Sequence, residues 1–212
     1  MTQSMHLILA SASPRRAEIL RNAGFDFEVR PAHVDESLRP GESAKDYVRR
    51  LAEEKARMVA CQHGKRAMTE PSIVIAADTA VVAGEEILGK PVSDQDARRM
   101  LRLLSGKTHE VFTGLAVLSM PDQEVSVAVE VTRVTFARLS DEEIEDYVSS
   151  GEPFDKAGGY GIQGRGGKFV SRIEGCYFNV MGLPLARLYA MLRELNGDAR
   201  EKVIRGAEKA GK

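Results

Sequence analysis

The chain has 212 residues, of which 43% are hydrophobic and 29% are charged, and its formal net charge is −1 at pH 7. This length and composition predict a globular protein with a full hydrophobic core. The near-neutral balance argues against a nucleic-acid-binding protein, and the apolar stretches are too short to span a bilayer, so we expect no membrane partner.

The first third of the chain alternates between strand and helix. "HLILA" predicts a strand that begins at His6, a helix follows from Pro14 to about Asn22, and "FDFEV" predicts a second strand. A long helix is predicted from about Ser43 to Gln62, with Ser43 as its N-cap. Its apolar stripe consists of Val48, Leu51, Ala52, Met58 and Val59.

The middle of the chain is richer in β structure. "SIVIAADTAVVAG" is a continuous apolar run, which is typical of a strand buried on both faces. "SDQDARRMLRLLSG" predicts a helix that is capped by Ser93 and ends at Gly106. Two long β segments follow, "EVFTGLAVLSM" and "EVSVAVEVTRVTFARL". The apolar alternation of the second segment changes parity, which predicts a β-bulge near Thr132 and Arg133.

The last third combines short elements with a glycine-rich loop. "SDEEIEDYVSSG" predicts a helix, "DKAGGYGIQGRGG" a loop, "KFVSRIEG" a strand and "PLARLYAMLREL" a closing helix. This order predicts an α/β fold with a mixed, twisted sheet and a cleft between two lobes. We expect residues 1–196 to form a single domain and residues 197–212 to form a charged, frayed tail.

The cysteines predict the compartment in which the protein acts. Cys61 and Cys176 form no C-x-x-C or metal-type spacing, so we expect buried thiols in the reducing cytoplasm rather than a disulfide. The N-terminus lacks the order of regions that marks an export signal. The scattered histidines argue against a zinc site.

The first predicted helix begins with two arginines, in "LILASASPRRAEIL". Arg15 and Arg16 lie at the positive end of the helix dipole, where each cation costs about a few tenths of a kcal/mol. With Ser13 as cap and Pro14 in the first turn, the free N–H groups of the helix favour an anion. One interpretation is that Ser11, Ser13 and both guanidinium groups bind a polyphosphate. The alternative is that both arginines lie in solvent.

A second phosphate motif proves to be accidental. "GEEILGKP" fits G-x-x-x-x-G-K, but Pro91 stands where a P-loop needs Ser or Thr for magnesium and the start of a helix. We therefore reject a P-loop. Lys90 remains a candidate for contact with a phosphate.

Several charged residues stand at unusual positions. Asp78 follows "SIVIAA", so we predict it at or near the end of a buried strand, where ligands of open α/β sheets bind. Asp35 and Glu36 lie in a predicted loop, where solvation is the simpler interpretation. Lys55 shares the apolar stripe of the long helix, so its amine either extends to solvent or points into a cleft.

The glycine-rich segment adds Asp155, Lys156 and Gln163. Its glycines would let the backbone approach a ligand closely, and the alternative is a mobile surface loop. Taken together, the hydroxyls, cations and carboxylates along the chain are the groups that bind a nucleotide polyphosphate with magnesium or manganese.

Seven segments resemble the Maf family of nucleoside triphosphate pyrophosphatases: "LILASASPRRAEIL", "RLAEEKA", "AADTAVV", "ILGKP", "LSGKTHEVFTGLAV", "DKAGGYGIQG" and "YFNVMGLPL". The resemblance implies an elongated twisted mixed β-sheet with flanking helices and two lobes around a deep cleft, as in inosine triphosphate pyrophosphatases. It also implies hydrolysis of a nucleoside triphosphate to the monophosphate and pyrophosphate with a divalent metal, Mg²⁺ or Mn²⁺. A homodimer is compatible with it.

The resemblance also assigns roles to single residues. Asp78 matches the catalytic acid, and Glu36, Lys55 and Lys90 match further catalytic positions of the cleft. We expect Asp78 and Glu36 to be the metal ligands. Ser11, Arg15 and Arg16 match the family's phosphate-end motif. Together with the residues singled out above, this gives the predicted substrate-binding set: Ser11, Ser13, Arg15, Arg16, Thr79, Asp155, Lys156 and Gln163.

The residues at three of these positions divide the family into groups that act on nucleotides with different bases. Arg15, Thr79 and Gln163 match the members that act on dTTP and UTP, whereas a sister group acting on 7-methyl-GTP has Trp, Gln and Glu there. Arg16 is then the phosphate-binding arginine and Arg15 helps to select the base. Gly159 departs from the family pattern, which often has Ala at that position.

Our hypothesis for the reaction is metal-assisted attack of water on the α-phosphorus. Asp78 and Glu36 would hold the cation and orient or deprotonate the water, while Lys55, Lys90 and Arg16 neutralise phosphate charge. Two alternatives stay open: a non-hydrolytic nucleotide-binding regulator of cell division or septum formation, and a pyrophosphatase that prefers modified pyrimidine nucleotides.

Overall fold

The computed structural model describes residues 6–67 and 71–195, without the side chains of residues 63–67. Its strands are β1 (His6–Leu9), β2 (Phe27–Val29), β3 (Ser72–Ala83), β4 (Glu86–Leu88), β5 (Thr108–Met120), β6 (Val125–Phe136) and β7 (Val170–Glu174). Its α-helices are α1 (Pro14–Asn22), α2 (Ala44–Ala67), α3 (Asp94–Leu104), α4 (Asp141–Ser149), α5 (Tyr177–Val180) and α6 (185–195). Short 3₁₀ helices cover Glu152–Asp155, Ala157–Gly159 and Arg165–Phe169.

The seven described strands form one mixed sheet in the order β2-β1-β3-β5-β6-β7, with β4 paired to β3. β1 is parallel to β2 and β3, and the other pairs are antiparallel. β5 covers one edge of β3 from Ser72 to Val82. On the other edge, β1 pairs with β3 only as far as Ile75, and β4 pairs only from Val81. Residues 76–80 of β3 therefore form an edge gap between two partner strands.

Helix α2 begins as predicted but ends later. The Ser43 hydroxyl accepts a hydrogen bond from the Asp46 N–H at 3.1 Å, which confirms the N-cap. The helix continues beyond Gln62 to Ala67. Its apolar stripe is buried, except for the half-buried Met58, because α2 packs on the face of β3 that carries Val74 and other even-numbered side chains.

The described core forms three groups of apolar side chains. One lies beneath α2. A second joins α1, α6 and the opposite face of β3, including Ile73 and Ile75. The third lies at the far end of β3 around α3 and α4, and it includes Val81 and Phe136. A mixed α/β sheet with flanking helices is thereby confirmed.

The predicted bulge in β6 is wrong. The β5–β6 register is continuous from Thr108–Thr135 to Leu118–Val125. The parity changes because the two faces of β6 are covered at different ends, one by the group beneath α2 and the other by the group around α3 and α4. A register shift does occur between Thr135 and Phe136, where β6 pairs with β7.

The expectation of buried thiols is also wrong. Cys61 and Cys176 are both free, but Cys61 is exposed and Cys176 is half-buried. Cys61 lies on the face of α2 that points away from the sheet, since it falls outside the apolar stripe. The tail expected after residue 196 lies outside the described residues. Within residues 6–67 and 71–195, the helices lack the combined length and apolarity needed to cross a membrane.

Candidate active site

A cavity of about 500 Å³ opens at the edge gap of β3. Asp78 and Thr79 are consecutive in β3, so their side chains leave opposite faces of the sheet, and both line the cavity because the edge between them is open. Asp78 therefore lies in the middle of β3 rather than at its end, which corrects the prediction. What ends nearby is the parallel neighbour β1, whose last residue Leu9 pairs with Ile75.

All twelve residues predicted from the sequence line this one cavity, and their roles stay predictions. They come from the segment after β1, the start of α1, the loop before α2, α2 itself, β3, the segment after β4 and the glycine-rich segment. They are Ser11, Ser13, Arg15, Arg16, Glu36, Lys55, Asp78, Thr79, Lys90, Asp155, Lys156 and Gln163.

Lys55 joins the two predicted metal ligands. Its Nζ lies 2.6 Å from Glu36 Oε1 and 2.6 Å from Asp78 Oδ1, and the residue is only 8% exposed. The amine therefore points into the cavity and does not extend to solvent. A buried ammonium is tolerated here because two carboxylates compensate its lost hydration. Glu36, for which solvation was the simpler interpretation, belongs to this ion-pair cluster.

The surrounding charges hold Glu36 in its ionised form. Burial raises its pKa, but the hydrogen bond and charge of Lys55, together with Lys90 and Arg16, outweigh burial and bring the pKa below the ordinary value. Tyr47, which the sequence reasoning missed, donates a hydrogen bond to the Glu36 carbonyl at 2.9 Å. Burial, with the charges of Asp78 and Glu36, raises the pKa of Tyr47 to about 12, so it stays a donor.

Gly114 explains how Lys55 reaches Asp78. This β5 residue pairs directly with Asp78, and a Cβ atom on it would lie 2.0 Å from the carbonyl oxygen of Val48 in α2. The glycine thus lets the backbone of α2 touch the sheet beside Asp78. Lys55 lies seven residues after Val48, about two helical turns along the same face. The close approach therefore brings its amine to the carboxylate.

Arg16 is anchored by the protein itself. Its Nε donates to the Gly182 carbonyl at 2.7 Å, Nη1 to Ser11 Oγ at 3.0 Å and Nη2 to Thr79 Oγ1 at 3.1 Å. A guanidinium has five N–H donors, so two remain for a ligand. Burial lowers the pKa of Arg16, and the charge of Asp78 opposes this effect. Gly182, with φ of 100°, is the missed residue whose backbone conformation makes the anchor.

The start of α1 differs from the expected cap. The Ser13 side chain makes no capping hydrogen bond; instead, the Ser13 N–H donates to Ser11 Oγ at 3.2 Å. Ser11 is thus shared between the backbone and Arg16. Arg15 pairs with Asp155, with 2.9 Å between Nη1 and Oδ2, which offsets the unfavourable position of its charge at the helix start.

Asp155 is held by two cations. Besides Arg15, the Lys156 amine lies 2.5 Å from Asp155 Oδ1 and donates to the Glu152 carbonyl at 2.7 Å. Burial raises the pKa of Asp155, but the contacts with Lys156 and Arg15 outweigh it and lower the pKa overall. Asp155 therefore lines the cavity as a carboxylate whose charge is compensated by Arg15 and Lys156, and it connects α1 to the glycine-rich segment.

The glycines of that segment pack around the protein's own side chains. The Glu152 carboxylate accepts hydrogen bonds from the Tyr147 hydroxyl and the N–H groups of Arg165 and Gly166 at 2.9, 2.9 and 3.3 Å. A Cβ atom at Gly164 would lie 2.2 Å from Glu152 Oε1. Similar conflicts arise for Gly161 with Lys156 and for Gly166 with Tyr147. This packing gives the glycines a structural reason and presents the exposed Gln163 at the cavity wall, and the close approach of this backbone to a ligand stays a prediction.

Gly159 has a local reason of its own. Its φ of 68° lies in the left-handed region, and a Cβ atom would lie 3.1 Å from Pro91 Cγ. Alanine would be strained in this conformation. The departure from the family pattern therefore matches the backbone that this chain adopts.

Fold and site together define a mixed α/β protein whose central sheet carries a charged cavity at a break in one strand's edge. Residues 6–195 match the family model described as "Maf-like protein". The chain belongs to the Maf family.

Individual relatives extend the match along nearly the whole chain. The dTTP/UTP pyrophosphatase of Koribacter versatilis (strain Ellin345) is 54% identical over 189 residues, 89% of this chain and 94% of the relative. That of Anaeromyxobacter dehalogenans (strain 2CP-C) is 53% identical over 88% of this chain and 92% of the relative. That of Hahella chejuensis (strain KCTC 2396) is 49% identical over 89% of this chain and 91% of the relative. Among solved structures, the Staphylococcus aureus Ham1 protein matches with a TM-score of 0.39 at 18% identity, over 62% of this chain and 72% of that chain. A likeness this weak identifies neither an activity nor a ligand.

Proposed function

We propose that this protein is a nucleoside triphosphate pyrophosphatase that hydrolyses dTTP and UTP to the nucleoside monophosphate and pyrophosphate. The observation that carries the proposal is that one cavity brings together two carboxylates, those of Glu36 and Asp78, with Arg16 and the start of α1. Both carboxylates are paired with the Lys55 amine. Relatives about half identical to this chain, named dTTP/UTP pyrophosphatase, support the substrate class.

The cations of the cavity bind and orient the phosphates. Arg16 offers its two remaining N–H donors from a rigid position, and the uncapped N–H groups of α1 lie beside it. Lys90 enters from the segment after β4, on the other side of the edge gap. These groups stabilise the negative charge that builds up on the departing pyrophosphate.

Glu36 and Asp78 are the residues that would hold a divalent cation. Among the described residues there is no cluster of three or more His, Cys, Asp or Glu suited to a metal. Two carboxylates fit Mg²⁺ or Mn²⁺ nevertheless, because Mg²⁺ is commonly bound by one or two carboxylates together with substrate phosphates and water. When bound, the ion would supply positive charge to the phosphate oxygens.

Asp78 is the group that orients the attacking water and accepts its proton. Its Oδ1 atom contacts Lys55, so Oδ2 is the oxygen available to a water molecule. Lys55 holds both carboxylates on the same side of the cavity and compensates their mutual repulsion. The water then attacks the α-phosphorus, and the bond to the β-phosphate oxygen breaks.

The test is release of pyrophosphate from dTTP and UTP. Asp78→Asn should lower kcat by about 10²- to 10⁴-fold because the amide cannot accept the proton. Asp35→Asn is the matched control, since Asp35 lies next to Glu36 in the chain but outside the cavity lining, and it should retain turnover. Wild-type turnover by Asp78→Asn with saturating metal would contradict the assignment.

The same assay separates the alternatives. A non-hydrolytic regulator would bind dTTP and release no pyrophosphate. A panel that includes modified pyrimidine triphosphates would identify a different preferred base. Action in the cytoplasm without nucleic acid or membrane partners, the homodimer and the domain boundary at residue 196 stay predictions from the sequence and the family resemblance.

A further inference from the structure

Three side chains and one carbonyl form a hydrogen-bonded chain behind the cavity wall. Arg16 Nη2 donates to Thr79 Oγ1 at 3.1 Å, Thr79 Oγ1 lies 3.0 Å from Thr113 Oγ1, and Thr113 Oγ1 donates to the Asn179 carbonyl at 3.1 Å. Thr113 is fully buried in β5 and is not among the residues that line the cavity. Thr79 does line it.

Only one arrangement of the hydroxyl protons makes every bond in this chain. The Asn179 carbonyl can only accept, so the single proton of Thr113 is donated to it. Thr113 Oγ1 must then accept in its contact with Thr79, which requires the Thr79 proton to point away from the cavity. Arg16 occupies one lone pair of Thr79 Oγ1. The remaining capacity of Thr79 toward a ligand is one acceptor site.

An acceptor-only oxygen selects its partner on a nucleotide. Phosphate oxygens are acceptors as well, so Thr79 does not bind the phosphates. Its partner must be a donor of the sugar or of the base, and the family resemblance places Thr79 among the residues that select the base. Uracil and thymine carry such a donor at N3–H, whereas N3 of cytosine is an acceptor. Where N3 of the base faces Thr79, a fixed acceptor therefore favours uracil and thymine, because N3 of cytosine would place its lone pair against a lone pair of Thr79 Oγ1.

We propose that Thr113 is a positioning residue for base selection. It accepts a hydrogen bond from the Thr79 hydroxyl and thereby leaves Thr79 only as an acceptor, for N3–H of uracil or thymine. The inference rests on the proposed function, because it assumes a pyrimidine nucleotide in this cavity. Thr113 itself does not touch the substrate. It acts through the proton of its neighbour.

The test compares kcat/KM for UTP and CTP in Thr113→Val and Thr113→Ser. Without an acceptor at position 113, the Thr79 hydroxyl is free to donate to N3 of cytosine, so Thr113→Val should lower the UTP/CTP ratio at least about tenfold. Thr113→Ser keeps the acceptor and should restore the wild-type ratio. Thr108→Val is the matched control, because it removes a similar threonine pair in β5 at an exposed position. It should leave the ratio unchanged.

A folded Thr113→Val variant with the wild-type UTP/CTP ratio would overturn the proposal. A second measurement needs no variant: the wild-type protein should use 3-methyl-UTP as poorly as CTP, and equal use of UTP and 3-methyl-UTP would also overturn it. If the protein releases no pyrophosphate from UTP, the proposed function fails instead. The relative binding of non-hydrolysable UTP and CTP analogues to wild type and Thr113→Val then tests, without catalysis, whether the Thr79 hydroxyl acts only as an acceptor toward the base.

Discussion

Lys55 shows at the scale of one residue how the cavity keeps opposite charges together. Its amine is bound to Glu36 and Asp78, and both it and the Asp78 side chain are almost fully enclosed. Removing the amine would leave two neighbouring carboxylates without a compensating charge. The lysine therefore holds the two acidic side chains together at the wall of the cavity.

His109 in β5 is a second buried titratable residue, and it lies outside the cavity lining. It is 2% exposed, and its Nε2 lies 2.8 Å from the Tyr160 hydroxyl. Burial lowers its pKa from 6.5 to about 4, so the folded protein holds it neutral. Between these two values the unfolded chain binds a proton more readily than the folded protein. The contribution of His109 to stability is complete above pH 6.5 and is lost as the pH falls towards 4.

The expected effect is measurable by denaturant unfolding at pH 7 and pH 4.5. His109 should make the wild type about 2–3 kcal/mol less stable at the lower pH, in addition to losses from carboxylates. His109→Gln removes the titrating group, so its stability should depend on pH less steeply by that amount. Parallel pH profiles for both proteins would show that His109 is not held neutral.

At the scale of elements, the position of the site follows from the unequal lengths of the strands. β3 has 12 residues, whereas its edge partners β1 and β4 have 4 and 3. The long strand continues through a region where one edge has no strand partner among the described residues. Its side chains from both faces are available there, as are the segments that follow β1 and β4. The gap begins where the parallel strand β1 ends, and ligands of open α/β sheets bind outside the carboxyl ends of the strands.

The contact between α2 and β5 is the element-scale feature that a single methyl group can test. Gly114→Ala would place Cβ against the Val48 carbonyl, and neither backbone can yield without moving the helix. We expect a loss of at least about 2 kcal/mol in unfolding free energy and a lower kcat, because α2 carries Lys55 away from Asp78. Gly89→Ala is the stability control, since a Cβ atom there meets nothing within 4 Å. Unchanged stability and turnover in Gly114→Ala would contradict the role of this close approach.

At the scale of the whole molecule, the cavity is where distant parts of the chain meet. Its lining spans residues 10 to 182 and joins segments adjacent to all three core groups. A ligand that contacts these walls stabilises only the folded state, in which they are assembled. Binding and global stability should therefore be coupled.

A non-hydrolysable α,β-imido analogue of dTTP with Mg²⁺ should raise Tm. At about 100 times Kd the stabilisation is about 2.7 kcal/mol, which corresponds to about 5–10 °C for a chain of this size. Differential scanning fluorimetry over a ligand series measures the shift, and inorganic phosphate at the same concentration is the control. A Tm that does not change with the analogue would be inconsistent with binding in this cavity.

The sequence by itself determined most of the elements and indicated which charged residues line the cavity. Hydrophobic periodicity and capping residues predicted α2, β3, α3 and the long β5–β6 pair, because these signals are local to each segment. Lys55 on an apolar stripe, Asp78 after a buried run and the arginines at the start of α1 were conspicuous for the same reason. The family resemblance added Thr79 and divided the roles of Arg15 and Arg16.

Only the tertiary structure decided how the side chains in the cavity are partnered. Arg15 meets Asp155 across 140 positions of sequence, and Arg16 meets Gly182 across 166. Gly114 is required by the backbone of α2, and the Thr79 proton is directed by Thr113. Such contacts depend on how β3 brings separate segments together at its edge gap. Composition and spacing along the chain carry no signal for the direction of a proton or the approach of a distant helix.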